Sequence, residues 1–200
     1  MKINPTKQKV VDAATLLFFQ KGFHGTSVRD IAERAMVNVS LISYYFNSKQ
    51  GLLEYAVTNY YEMYLKTMET TLQENEDVDH LNKMKKVIFE MIDYKTEHFH
   101  LTSFINRELS LDSTFVREMT VTYLAKENHL LGELFQSILG SNLKRKRDYL
   151  FMQFKGMVMS PFILKNEWNN QLIDLQSRKN FIENYTGLIY NWLVFLSNSK

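Results

Sequence analysis

The 200-residue sequence contains no cysteine, two prolines and seven glycines. Without cysteine there can be no disulfide scaffold, thiol nucleophile or thiolate zinc site, and the chain suits a reducing compartment. So few glycines exclude collagen-like and glycine-linker classes. No run of about 18 apolar residues occurs, so no helix is expected to span a bilayer. The opening Met1-Lys2-Ile3-Asn4-Pro5 lacks the apolar stretch of an export signal. A cytoplasmic protein without a membrane partner is therefore expected. The parts of an enzyme are missing too: no phosphate-cradling glycine-rich loop, no metal-ligand spacing, no suggestive Ser/His/Asp arrangement. On a helix His98 and His100 would point about 200° apart, which disfavours a shared metal. Neither catalysis nor a cofactor is expected.

What is present is a foldable composition, 45% apolar and 14% aromatic, with enough apolar area to offset the entropy of ordering the chain. The net charge of +2 is unevenly spread. Residues 1–50 hold seven Lys/Arg against three acids, an excess of +4, whereas residues 51–200 hold 17 against 19, or −2. A small basic unit on a slightly acidic body is the electrostatic footprint of nucleic-acid binding. Four of the later cations form one run, Lys144 to Arg147. Cations are disfavoured at a helix start, so this run is either solvated or a second contact surface.

The apolar period is helical almost throughout, and about nine helices in an all-α fold are expected. The first spans about Thr6–Gln20, with Gly22 as its C-terminal cap. Ser27-Val28-Arg29-Asp30 reads as a capping box opening a short second helix. Asn38 can cap a third over Val39–Tyr45, and Ser48 a fourth of some twenty residues. Further helices are expected from Leu81, over Phe99–Leu109, from a Ser110–Ser113 turn to about Leu139, from the basic run to a kink or end at Pro161, and over Ser177–Ser197. Three short helices, the second and third separated by three or four residues, match the arithmetic of a helix-turn-helix. Ala32 permits a close crossing, and Ile31, Val37, Ile42 and Phe46 can close a small core with Leu17 and Phe18.

The stretch from Gln20-Lys21-Gly22-Phe23 through Gly25-Thr26-Ser27-Val28-Arg29-Asp30-Ile31-Ala32 to Ile42-Ser43-Tyr44-Tyr45-Phe46-Asn47-Ser48-Lys49 resembles the TetR family of bacterial DNA-binding regulators. That resemblance implies a DNA-binding domain over 1–48 and a dimerisation and regulatory domain over 49–200. It implies a homodimer placing two third helices in successive major grooves of a palindromic duplex site. Ser27, Arg29, Asn38, Val39, Ser40, Leu41, Ser43, Tyr44, Tyr45 and Lys49 would contact DNA. Arg29 is the candidate for reading a guanine, while Tyr44, Tyr45 and Lys49 would hold phosphates. Three departures stand out: Met36 replaces a customary turn glycine, Ser43 a frequent tyrosine, and Val39 and Leu41 are apolar where polar residues are common.

In the larger domain the family builds its dimer seam from the last two helices. Here the resemblance selects Phe151, Phe154, Val158, Phe181, Tyr185, Leu188, Ile189, Trp192 and Leu196. Tyr64, Phe89, Phe104 and Tyr123 are candidates to line an apolar ligand pocket, or else simply core. Leu101-Thr102-Ser103-Phe104, Arg107-Glu108, Asp112-Ser113-Thr114, Arg117-Glu118, Thr122-Tyr123-Leu124 and Lys126-Glu127, together with Ile42-Ser43-Tyr44-Tyr45-Phe46, resemble the RefZ-type, forespore-associated members of the family, a similarity over most of the first 130 residues. That similarity implies a nucleoid-associated dimer acting on septum positioning in cell division during sporulation, with a cell-division protein as a further partner. The alternative is a repressor of nearby genes released by a small molecule.

Overall fold

The computed structural model describes residues 4–110, 114–163 and 175–199. They form nine α-helices, with no strand among the described residues: α1 (Pro5–Lys21), α2 (Val28–Ala35), α3 (Val39–Phe46), α4 (Lys49–Glu74), α5 (His80–Glu97), α6 (Phe99–Ser110), α7 (Thr114–Ile138), α8 (Arg147–Ile163) and α9 (Leu175–Ser197). The all-α expectation holds. Two details differ from it. Three cations of the basic run, Lys144 to Lys146, wind in a short 3-10 helix over Ser141–Lys146, and only the fourth, Arg147, opens α8, so fewer cations stack on the α-helical N-terminus. Helix α8 also runs two residues past Pro161, to Ile163. Turn residues 111–113 lie outside the described residues.

The chain divides into two compact units, residues 1–62 with 99–121, and residues 63–98 with 122–200. In the first, Asn4 caps α1 by accepting from Thr6 N at 2.9 Å, with Pro5 in the first helical position, where its missing N–H costs nothing. Phe18 is the centre of this unit, fully buried with Val10, Ala14, Ile31, Ile42, Leu52 and Leu53. Its ring lies 5.6 Å from those of both Phe23 and Phe104. Helix α6 docks on α1 with directional bonds as well. Arg107 donates from Nη1 to Phe19 O at 2.9 Å and from Nη2 to Phe18 O at 2.8 Å, satisfying carbonyls in the last turn of α1.

The second unit packs α9 over α5, with Met84, Val87, Ile88, Met91 and Ile92 buried on the α5 side. Phe135 of α7 packs against Phe154 at 5.5 Å and Trp192 at 6.4 Å. This unit also buries charge. Glu127 accepts from Tyr64 Oη at 2.8 Å and pairs with Lys155 Nζ at 2.7 Å, while Lys95 Nζ sits 4.1 Å from the centre of the Tyr64 ring.

Candidate nucleic-acid interface

The start of α2 is fixed by two reciprocal bonds. Ser27 Oγ accepts from Asp30 N at 3.1 Å, and Asp30 Oδ2 accepts from Ser27 N at 3.0 Å. Bonds from the Ser27 backbone and then its side chain hold the Asp30 carboxyl below its ordinary range. A helix start pinned this way gives Arg29, one residue inside it, a defined and solvent-exposed origin.

The turn into α3 closes with two bonds, Met36 N to Glu33 O at 3.1 Å and Val37 N to Ala32 O at 3.0 Å. This is the pattern of a Schellman cap, which needs a left-handed residue at its centre. Met36 supplies it at φ 54°, ψ 47°. The family's usual glycine is thus replaced without loss of the turn, and the side chain is thrown into solvent, 87% exposed.

Asn38 Oδ1 accepts from Ser40 N at 2.9 Å and from Ser40 Oγ at 2.8 Å. These bonds start α3 and hold the first two polar groups of its outer face in one arrangement. Ile42 and Phe46 turn into the core. Ser40, Ser43 and Tyr44 turn outward with Val39, while Leu41 and Tyr45 are half-buried. Tyr45 Oη accepts from Asn4 Nδ2 at 3.1 Å, a bond that orients the hydroxyl and leaves its proton to donate. Asn4 was not singled out by the sequence pattern. Its double role, capping α1 and steering a tyrosine 41 positions away, has no local signature.

Ser48 caps α4 by accepting from Gly51 N at 3.0 Å. A Cβ at position 51 would lie 2.2 Å from Phe46 O, so only glycine lets the last turn of α3 approach α4 this closely. Lys49 departs from expectation. Its ammonium donates to Phe23 O and Thr26 O, both at 2.7 Å, and lies 4.3 Å from the centre of the Phe23 ring. The two carbonyls of the α1–α2 connection hold the cation inward, as a clamp between that connection and the start of α4.

The remaining candidates scatter. Of the proposed seam residues, Phe154, Val158, Ile189 and Leu196 are buried within the subunit and cannot form an outer face. Phe151, Phe181, Tyr185 and Trp192 are half-buried, and Tyr185 Oη is turned inward to Met157 O at 2.7 Å. Only Leu188 is largely exposed, at 66%. The outward stripe instead carries Tyr149, Met152 and Ile163 on α8 and Leu188 with Phe195 on α9. The strongest apolar period in a sequence marks the face that meets its own core, and the last helix is apolar on more than one face, with Phe195 on the exposed one. The pocket candidates do not converge either. Phe104 belongs to the core around Phe18, and Tyr64 is bonded to Glu127. Phe89 alone of the four lines the cleft of about 690 Å³ in the second unit.

Comparison with known proteins matches this frame. The model of the tetR family of bacterial regulatory proteins fits residues 10–56, which include α2, α3 and their connection. A chain of Bacillus subtilis (strain 168), named as a probable HTH-type transcriptional regulator, YttP, is 37% identical over 96% of this chain and 94% of its own length. The biofilm operon negative regulator IcaR of Staphylococcus aureus (strain Newman) is 37% identical over 51 residues, 26% of this chain. Among solved structures, a TetR-like regulator from Rhodococcus sp. RHA1 superposes with a TM-score of 0.74 at 15% identity, covering 98% of this chain and 96% of its own. The fatty acid degradation regulator FadR from Bacillus halodurans gives 0.68 at 20% identity, covering 95% and 97%. Full-length similarity to a helix-turn-helix regulator, with the capped α2–α3 pair in place, makes the chain a DNA-binding transcriptional regulator of the TetR family rather than an enzyme.

Proposed function

We propose that the protein binds a palindromic DNA site as a homodimer, with each α3 in a major groove and the two grooves about one helical turn, roughly 34–36 Å, apart. The observation that carries this reading is the outer face of α3, capped at both ends and presenting Val39, Ser40, Ser43 and Tyr44 to solvent. Residues 1–48 serve as the DNA-reading domain and 49–200 as the dimerisation and regulatory domain. Val39 and Leu41 suit contact with thymine methyls. Tyr44 and Tyr45 donate to phosphate oxygens, with Tyr45 already oriented by Asn4. Arg29 reads a base edge.

Two helical glycines support pairing through α8 and α9. Glycine inside a helix costs about 1 kcal/mol relative to alanine, yet a Cβ at Gly156 or Gly187 would meet nothing within 4 Å in the subunit. Their smallness therefore serves no neighbour among the described residues, and both lie on the helices that expose Tyr149, Met152, Leu188 and Phe195. Close approach of a second copy gives them a purpose.

For the output, the resemblance of most of the first 130 residues to RefZ-type proteins supports a cytoplasmic, nucleoid-associated regulator that links chromosome position to the division septum during sporulation, with a division protein as partner. The second reading, a repressor released by a small molecule, is favoured by the cleft in the second unit. Genome-wide mapping of bound sites separates them: scattered sites far from promoters support the first, and a site in its own or a neighbouring promoter supports the second. Docking itself is tested by Arg29→Ala, which should relax selection at one base pair by about 1–3 kcal/mol in a randomised-site binding assay. Unchanged selection at every position would remove Arg29 from the interface.

A further inference from the structure

The basic run, Lys144 to Arg147, is unlike the rest of its unit. From Leu134 to Arg147 the sequence carries four cations and no acid. Without the run, residues 51–200 hold 13 cations against 19 acids, so a body of −6 bears one concentrated spot of +4. Lys144, Arg145 and Lys146 are exposed, and no ion pair or side-chain hydrogen bond reaches any of them among the described residues. Of the four, only Arg147 is engaged. It lies 3.7 Å from the Asp148 carboxylate and donates from Nη2 to Gly132 O at 3.5 Å.

The run is also held in place. Leu143 N donates to Gly140 O at 2.9 Å, and Gly140 N to Leu196 O in the last turn of α9 at 3.4 Å. A Cβ at position 140 would lie 2.1 Å from Ser199 O, so only glycine allows this approach. With its backbone tied to α9 and its last arginine to α7, the segment has little backbone entropy left to lose on binding.

The composition of the segment narrows the partner. Protein interfaces are anchored by aromatic or aliphatic side chains and are poor in lysine and serine. Ser141–Lys146 offers one apolar side chain, Leu143, and it is half-buried. An anionic membrane is held by apolar insertion as well as by charge. The exposed Tyr149 and Met152 nearby lie on the stripe assigned above to the pairing of two copies. A DNA backbone needs no apolar anchor. Closely spaced cations release its counterions whatever the base sequence.

We propose that Lys144, Arg145 and Lys146 form a second DNA contact, which holds backbone phosphates without reading bases. It belongs to the second unit, apart from the α3 face, and takes any duplex, so no palindromic site is needed to test it.

The experiment is fluorescence anisotropy of a labelled duplex of arbitrary sequence, about 40 base pairs long, with the full chain at salt concentrations from about 25 to 200 mM. Lys144→Gln, Arg145→Gln and Lys146→Gln combined should lower the slope of log affinity against log salt by about two to three units. Binding at about 50 mM salt should weaken at least about tenfold. Selection in a randomised-site assay should not change, so failure of the α3 reading shows separately. Circular dichroism and sedimentation check that the variant keeps its fold and assembly state. In the unsubstituted chain, acylation of lysine amines read by mass spectrometry should show Lys144 and Lys146 shielded by the duplex. The proposal is overturned if the folded variant keeps the slope or if the duplex shields neither lysine. It is equally overturned if phosphatidylglycerol vesicles shield both at a lower concentration of anionic charge than the duplex does, which would make the surface a membrane site.

Discussion

The two compact units treat charge in opposite ways. In the first, no Lys, Arg, Asp or Glu is buried among the described residues, and charged groups work at helix ends: Asp30 at the start of α2, Lys49 on the α1–α2 connection, Arg107 on the last turn of α1. Each bonds to backbone atoms at or beside a helix terminus. In the second unit Lys95 and Glu127 are buried at 3% and 2% exposure, with the Lys155 side chain closing on the same carboxylate. A charge at a helix end keeps part of its hydration. A buried cluster gives hydration up and depends on its partners instead. Losing one charge should therefore cost the first unit less than the second.

The sharpest way to break that contrast is Glu127→Leu. Two ammoniums would be left near an apolar side chain, and a loss of about 3–5 kcal/mol in unfolding free energy is expected from urea titration. Replacing Lys95, Glu127 and Lys155 together with Met, Leu and Met should recover most of it, because uncharged packing needs no counter-charge. A single-variant loss below about 1 kcal/mol would mean that water reaches the cluster. The pH dependence has a definite sign. Burial alone would raise the Glu127 carboxyl, but the Lys95 and Lys155 charges, with bonds from Lys155 and Tyr64, together hold it below its ordinary 4.5. Its contribution is complete above that value and is lost as pH falls through the lower folded-state value. Burial depresses Lys95 and Lys155, opposed by Glu127. The folded chain holds those protons less tightly than the unfolded one, so their effect also makes stability rise with pH. All three groups thus slope the same way, and the acid limb due to Glu127 should vanish in the Leu variant.

An intermediate effect is expected at Lys49, where two backbone carbonyls would lose a charged donor. Lys49→Met should destabilise the first unit by about 1.5–3 kcal/mol, seen as faster amide exchange around Thr26. The salt dependence of DNA binding should keep its slope, because an inward-facing ammonium releases no counterion on docking. A slope lowered by about one unit with stability unchanged would return Lys49 to the phosphate backbone.

The same contrast explains what was legible in the sequence. Helix order, the Ser27–Asp30 box, the caps at Asn38 and Ser48 and the core around Phe18 follow from local spacing, and the structure has them. What local spacing cannot carry is a bond across many residues. Arg107 stands beside Glu108 in the sequence, yet its main partners are carbonyls 88 and 89 positions away. Lys155, three residues before Val158, reads as a solvated helix position until Glu127 is brought beside it. Four of the nine seam candidates, Phe154, Val158, Ile189 and Leu196, lie in the subunit's own core for a related reason: period identifies an apolar face but does not say whether the subunit's own core or another surface will cover it.

The smallest effect concerns Met36, where the family's turn glycine is missing. A non-glycine residue at φ 54° is held in a region L-residues enter reluctantly, so Met36→Gly removes local strain but also loosens the unfolded chain. These oppose each other, and a net gain of about 0.5–1 kcal/mol is expected, since the methionine side chain, 87% exposed, contributes little packing to be lost. Thermal unfolding of the glycine variant, with Met36→Asn as an intermediate case, measures it. No gain in either variant would mean that the exposed methionine is packed against something outside the subunit, and that the turn between α2 and α3 is itself part of a contact.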